Sequence, residues 1–168
     1  MKMNSKNLTR AAFVAAVYVV LTYIATLLGL SNGAVQIRFS EALCVLPIFN
    51  AYSVPGLFVG CIISNILAGA NIFDIVFGSL ATLLGAYFTR KFRRNTFLAI
   101  LSPIFFNTLI IPFVLTYAYK VKDAMWFLFL SVGAGEVISV GILGYILYRT
   151  IKKSVLRSNI GQDDKEVM

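Results

Sequence analysis

The stretch LTRAAFVAAVYVVLTYIATLLGL, residues 8–30, is a long apolar run near the start of the chain. As an α-helix rising about 1.5 Å per residue, it is long enough to cross a hydrocarbon core of about 30 Å. Lys2, Lys6 and Arg10 flank it, which is also typical of a signal peptide. However, the run exceeds the roughly 7–15 apolar residues of a signal peptide, and no clear A-x-A cleavage site follows. We therefore predict a membrane-spanning helix that is retained.

The composition of the whole chain agrees with a membrane protein. Of its 168 residues, 59% are hydrophobic and 13% are charged, and the mean hydropathy is +0.84. Soluble domains carry about 45–50% apolar and about 25% charged residues. We interpret residues 1–153 as one membrane domain and residues 154–168 as a polar cytoplasmic tail.

Five further apolar runs predict five further helices, at residues 40–52, 54–69, 72–90, 96–117 and 124–149. The first two are short for a bilayer and are separated at NAYSVPG, residues 50–56, where Pro55 and Gly56 favour a turn. We adopt two short helices that are thin, tilted or partly sheltered, and one re-entrant hairpin is the alternative. The expected fold is an all-α membrane protein with six transmembrane helices in one bundle.

The distribution of basic residues predicts the orientation of this bundle. With the N-terminus inside, twelve of the 15 Lys and Arg residues lie on the cytoplasmic side: Lys2, Lys6, Arg10, Arg90, Lys91, Arg93, Arg94, Arg149, Lys152, Lys153, Arg157 and Lys165. Arg38, Lys120 and Lys122 lie outside. The positive-inside rule therefore predicts a multi-pass protein of the plasma membrane with both termini cytoplasmic. The same bias accounts for the net charge of +8 without a nucleic-acid partner.

The residue types argue against an enzyme. The chain contains no histidine, which is the commonest metal ligand and general base. Its two cysteines, Cys44 and Cys61, both lie in apolar runs and resemble small buried hydrophobic residues. No phosphate-binding loop of the G-x-x-x-x-G-K-[ST] type occurs. We expect no metal and no cofactor, and we expect any ATP hydrolysis to take place on partner subunits.

Polar residues collect toward the predicted outer half of the bundle. Charges at the centre of a membrane cost at least about 2.5–3.5 kcal/mol, so such residues face a cavity or a partner. The candidate substrate-binding residues are Gln36, Arg38, Glu41, Asn65, Asp74, Asn107 and Glu136.

Structural explanations for four of these residues also remain open. Arg38 and Glu41 are spaced to pair with each other at the start of a helix. Asp74 follows Asn71 and is placed to cap a helix N-terminus. Glu136 has a purely structural alternative, although the small residues near it leave room for a ligand.

Small residues spaced four apart mark the first helix and the third. Ala11 pairs with Ala15 and Ala12 with Ala16 in the first, and Gly56 pairs with Gly60 in the third. This spacing lets helices approach closely. The alanines indicate either an internal seam or a docking face for another membrane protein.

Four stretches together resemble the QueT family, which are substrate-binding S components of energy-coupling factor (ECF) transporters. They are AAFVAA (11–16), QIRFSEAL (36–43), VPGLFVGCIISNILAG (54–69) and DIVFGSLATLLGAY (74–87). The resemblance covers about residues 9–150. It implies a six-helix bundle that captures a micronutrient from outside, namely a 7-deazaguanine precursor of queuosine. It also implies a membrane-embedded assembly with a transmembrane coupling protein (EcfT-like) and two ABC ATPase subunits. The alanines Ala11, Ala12, Ala15 and Ala16 match the family's contact with the coupling protein.

A 7-deazaguanine presents a ring N–H beside an amino group, and a carboxylate accepts both. Some precursors also carry a cationic aminomethyl group, which needs a second acid. Glu41, Asp74 and Glu136 are the available acids, and which acid takes which group stays open here. We expect Glu41 to point into the pocket. The alternatives are an S component for another vitamin or planar base, a ligand-free structural membrane protein, and a membrane enzyme.

Overall fold

The structure, a computed structural model, describes residues 4–30 and 36–166, with side chains to residue 155. Every regular element in these ranges is helical. They are α1 (Ser5–Leu27), a 3₁₀ helix (Phe39–Ile48), α2 (Ser53–Leu67), α3 (Ile72–Lys91), α4 (Thr96–Tyr117), α5 (Met125–Glu136), a π segment (Val137–Gly144) and α6 (Tyr145–Glu166). The predicted all-α class is confirmed.

Four helical stretches are long and apolar enough to cross a membrane: Ser5–Leu27, Ile72–Lys91, Thr96–Tyr117 and Met125–Val155. The other two elements are shorter. The 3₁₀ helix has 10 residues and extends about 20 Å, and α2 has 15 residues and extends about 22 Å. Both fall below the roughly 30 Å of a hydrocarbon core. The short lengths predicted from the sequence for these two elements are therefore confirmed.

The 3₁₀ helix lies at the centre of the bundle. It contacts α1 to α4, the π segment and α6, and its residues from Ser40 to Val45 are all buried. Its last carbonyl groups need hydrogen-bond donors at the helix end. The Arg90 guanidinium supplies them by donating to the carbonyls of Pro47 at 3.1 Å and Ile48 at 3.3 Å. This central position shelters an element that is too short to span alone.

Helices α1 and α2 pack through small residues. A Cβ added at Gly56 would lie 2.6 Å from the carbonyl oxygen of Ala11, and one at Gly60 would lie 3.0 Å from that of Ala15. Ala11 and Ala15 are accordingly buried. The interpretation as an internal seam therefore holds for these two alanines. Ala12 and Ala16, in contrast, are exposed on the other side of α1.

The last predicted helix differs most from expectation. The run predicted at 124–149 forms one continuous helical stretch of α5, the π segment and α6, and the backbone stays helical to Glu166. The π segment packs on the 3₁₀ helix, since a Cβ added at Gly144 would lie 2.9 Å from Val45 Cγ1. Close packing between these two elements is a tertiary feature that the apolar pattern of the run does not signal.

One end of the bundle collects the basic residues. Arg10 lies over the ring of Tyr52, with its guanidinium carbon 5.6 Å from the ring centre. Thr96 at the start of α4 donates a hydrogen bond to Tyr148 of α6 at 3.0 Å. Arg90 at the end of α3 bonds Pro47 and Ile48, and the Phe49 ring contacts Tyr148, so the start of α1, the end of α3 and α6 all lie near residues 47–52. Lys2 and the side chains of Arg157 and Lys165 lie outside the described residues.

Candidate ligand-binding site

A cavity of about 450 Å³ opens at the end of the bundle opposite the basic residues. Its walls come from the second half of α1, the segment before the 3₁₀ helix, the end of α2, the start of α3 and the α4–α5 connection. The lining residues are Tyr18, Thr22, Thr26, Gln36, Arg38, Ser40, Ser64, Asn65, Ala68, Gly69, Ala70, Asp74, Leu115, Tyr119 and Val121. This volume is within the roughly 300–1,000 Å³ of small-molecule sites.

Four of the seven residues predicted for the site line this cavity: Gln36, Arg38, Asn65 and Asp74. They come from three different parts of the chain, which the fold brings together. Arg38 is held in place through its backbone N–H, which donates to Ser139 Oγ of the π segment at 3.1 Å. The cavity thus contains one guanidinium and one carboxylate, together with two amides that each donate and accept hydrogen bonds.

Asp74 is 7% exposed and lies in the first turn of α3. The helix cap is provided by Asn71, whose side chain accepts from the backbone N–H of Phe73 at 3.0 Å. Asp74 Oδ2 accepts from the hydroxyl of Tyr119 at 3.1 Å. Asp74 Oδ1 is buried and has no hydrogen-bond partner among the described residues. Asp74 therefore does not serve as the cap, and one of its oxygens is left for another donor.

Tyr119 ties the α4–α5 connection to the start of α3. Its hydroxyl accepts from the backbone N–H of Asn71 at 3.1 Å, and the side-chain amide of Asn71 donates to the carbonyl of Ala118 at 3.4 Å. Partial burial and the neighbouring Asp74 carboxylate raise the pKa of Tyr119 above its ordinary value. The hydroxyl therefore remains protonated and donates to Asp74.

The other three predicted residues, Glu41, Asn107 and Glu136, lie in a separate buried group. Glu41 is 1% exposed, and its Oε1 accepts from the hydroxyl of Tyr18. Its Oε2 accepts from Cys44 Sγ at 3.1 Å and from Asn107 Nδ2 at 3.3 Å. Glu136 lies close enough to Glu41 and Asn107 to interact electrostatically with both. We call Tyr18, Glu41, Cys44, Asn107 and Glu136 the inner cluster.

The inner cluster adjoins the cavity only through Tyr18, which belongs to both. Glu41, Asn107 and Glu136 are not among the lining residues. Glu41 was expected to point into the pocket, but the structure places it behind Tyr18. Its hydrogen-bond donors are Tyr18, Cys44 and Asn107 rather than Arg38. The carboxylate of Glu41 is thus satisfied by the protein itself.

Several lining residues were missed by the sequence analysis. Tyr18, Thr22 and Thr26 recur every four residues along α1 and so lie on one face of the helix. Thr22 donates to Ser40 Oγ at 2.8 Å, which joins this face to the 3₁₀ helix. Three hydroxyl side chains on one face of an otherwise apolar helix could have predicted these cavity-lining residues from the sequence. Tyr119 offered none, because its role depends on a contact with α3.

Two comparisons with known proteins each found a match. The family model described as "QueT transporter" matches residues 8–153. A curated relative, "Queuosine precursor transporter QueT" of Lactococcus lactis subsp. cremoris (strain MG1363), is 34% identical over 100 residues. That match covers 57% of this chain and 59% of the relative, which is less than two thirds of its length. No solved structure matches the chain significantly.

Proposed function

The chain belongs to the QueT transporter family, and from this we propose that it is the substrate-capturing subunit of an ECF-type importer. It is a multi-pass membrane protein, and in this proposal it binds a queuosine precursor with a 7-deazaguanine ring from outside the cell. The observation that carries the proposal is the polar cavity, in which Asp74 presents a buried oxygen without a partner. The name of the Lactococcus relative supports the same substrate class.

The chemistry of the cavity suits such a ring. One edge of a 7-deazaguanine carries a carbonyl oxygen, a ring N–H and an amino group in succession. Arg38 has only donors and matches the carbonyl, whereas Asp74 has acceptors for the N–H and amino groups. The amides of Gln36 and Asn65 bind either type of group. A planar molecule with donors and acceptors on one edge is therefore the ligand we infer.

The orientation in this proposal follows from the charges. Basic residues collect at one end of the bundle and the cavity lies at the other. The positive-inside rule then puts both termini in the cytoplasm and the cavity outside. Six crossings follow if the 3₁₀ helix and α2 each count as one. The packing of both elements against the longer helices supports this, and the 3₁₀ helix in particular is sheltered from lipid.

Partner subunits complete the proposal. The sequence has no phosphate-binding loop, so we assign the energy source to two ABC ATPase subunits acting through an EcfT-like coupling protein. Ala12 and Ala16 are exposed on the half of α1 that is nearer the basic end. Small residues at these two positions suit close contact with a helix of the coupling protein. Ala11 and Ala15 support that face from behind.

The test is thermal stabilisation of the detergent-purified protein by a panel of planar micronutrients. A ligand at 100 times its Kd stabilises the folded state by about 2.7 kcal/mol, which raises Tm by roughly 5–10 °C at this chain length. We expect 7-deazaguanine compounds to give this shift. A shift only with another vitamin would favour a different S component, and no shift with any ligand would favour a structural membrane protein.

A further inference from the structure

Asn65, Asp74 and Gly78 meet between α2 and α3 beside the cavity, which Asn65 and Asp74 line, and we call these three residues the niche. Gly78 lies one turn after Asp74 on the same face of α3. A Cβ added at Gly78 would lie 2.8 Å from Asp74 Oδ1 and 3.5 Å from Asn65 Nδ2. Any larger residue at position 78 would therefore crowd the space beside these two atoms. Glycine leaves room for the Asp74 carboxylate in its present position.

The position of the Asp74 carboxylate is fixed by its surroundings. Oδ2 accepts from Tyr119 at 3.1 Å, and the backbone carbonyl of Asp74 accepts from Asn65 Nδ2 at 3.4 Å. Each carboxylate oxygen has two lone pairs, so Oδ2 can accept a second donor. The niche is thus preorganised, and the unpartnered Oδ1 is not the result of a loose side chain.

Oδ1 differs from the other unpartnered buried atoms in the described part of the chain. Those are Ser79 Oγ, Thr108 Oγ1 and Glu136 Oε2, and none of these three residues lines the cavity. Buried polar atoms in native proteins almost always have a partner, because a buried atom without one bears its full desolvation penalty. An exception in a cavity wall indicates a donor that arrives with a ligand.

We propose that Asp74 Oδ1 accepts a hydrogen bond from a neutral amino group on the ligand's planar ring, which lies in the niche over Gly78. This assignment rests on the proposed function and identifies Asp74 as the acid that binds the 2-amino group of the ring. The ring N–H is placed to bond Oδ2. Glu41 is excluded from this role because it does not line the cavity, and its carboxylate already accepts from Tyr18, Cys44 and Asn107.

A neutral amino group suits the niche better than a cationic aminomethyl group. Arg38 lines the same cavity and already attracts the Asp74 carboxylate electrostatically. Together the two side chains carry no net charge. A second cation would be repelled by Arg38, whereas a neutral ring with mixed donors and acceptors complements both groups.

The experiment titrates two probes, 7-deazaguanine and 7-deazahypoxanthine, which differ only in the amino group. We expect the parent protein to prefer 7-deazaguanine by about 10- to 150-fold, the range for one charge-assisted hydrogen bond. Asp74→Asn should reduce this preference to within about threefold. Gly78→Ala keeps the carboxylate but fills the niche, and it should lower the preference in the same direction.

Two matched variants serve as controls. Asp123→Asn makes the same chemical change at an exposed acid of the α4–α5 connection. Gly141→Ala adds a Cβ in ordinary contact, 3.7 Å from Val137 Cγ1. Both should keep the full preference of the parent.

The possible outcomes separate the two proposals. If the parent protein binds both probes equally, or if Asp74→Asn and Gly78→Ala keep its preference, the niche assignment is overturned while the proposed function stands. If the parent protein binds neither probe, the proposed function fails and the niche assignment fails with it. The comparison of probes on the parent protein needs no variant to fold.

Discussion

Glu41 shows how a single buried acid is satisfied inside this bundle. Three donors reach its carboxylate: Tyr18 from α1, Cys44 from the next turn of the 3₁₀ helix and Asn107 from α4. In a 3₁₀ helix, side chains three residues apart lie one above the other, which explains the Cys44 contact. The carboxylate therefore links α1, the central helix and α4.

We predict that Glu41→Gln lowers stability rather than ligand affinity. The amide of Gln removes the charge, and its N–H group faces one of the three existing donors. The free energy of unfolding should therefore fall by about 1–3 kcal/mol, which lowers Tm by roughly 2–12 °C. Thermal melting of the purified protein measures the first effect, and titration with 7-deazaguanine measures the second. Tyr18→Phe removes one of the three donors and should cost less. An unchanged Tm with a large loss of affinity would show that Glu41 binds the ligand directly.

At the scale of elements, α1 has one face packed on α2 and one exposed face that we propose as the docking face. Ala11 and Ala15 pack on Gly56 and Gly60 of α2, whereas Ala12 and Ala16 are exposed. The two pairs differ by one position on the helix, which is about 100° of rotation at 3.6 residues per turn. This difference allows the seam and the docking face to be tested separately.

We predict that Ala12→Trp blocks assembly while Ala11→Trp blocks folding. A Trp at position 12 holds a partner helix away from α1, so co-purification with the coupling protein and ATPases should be lost. Ligand binding by the isolated chain should survive, because the cavity is at the other end. A Trp at position 11 clashes with α2 and should abolish a cooperative melt. Normal assembly of the Ala12→Trp protein would show that this face contacts only lipid.

Features that depend on a single element could be predicted from the sequence, whereas contacts between elements could not. The bounds of α3 and α4 follow from their apolar runs and from Asn71 and Asn95, which cap their N-termini. The 3₁₀ form of residues 39–48 does not, because hydrophobicity specifies burial and not helical pitch. The depth of Asp74 also follows from its position in α3. Separating Asp74 from Glu41 required knowing that the Tyr18 side chain lies between Glu41 and the cavity, which is a contact between elements.

The whole molecule is polarised along its axis, with most of the described basic residues at one end and the cavity, with Arg38, Lys120 and Lys122 near it, at the other. We predict that a cysteine replacing Lys122, in the α4–α5 connection, reacts with a membrane-impermeant thiol reagent in intact cells. A cysteine replacing Arg93, in the α3–α4 connection, should react only after permeabilisation. The native Cys44 and Cys61 are 0% and 1% exposed, so the background should be low. The reverse pattern of labelling would place the cavity in the cytoplasm.

The central claim is that the cavity at this end of the bundle holds a 7-deazaguanine, and titration of Arg38→Gln against Glu136→Gln tests it most directly. Both residues are ionisable and lie within the bundle, but Arg38 lines the cavity and Glu136 does not. We expect saturable binding of 7-deazaguanine to the parent protein, a loss of about 10- to 150-fold in Arg38→Gln, and affinity close to the parent's in Glu136→Gln. Parent-like binding by Arg38→Gln together with loss of binding by Glu136→Gln would place the ligand in the inner cluster and contradict the account.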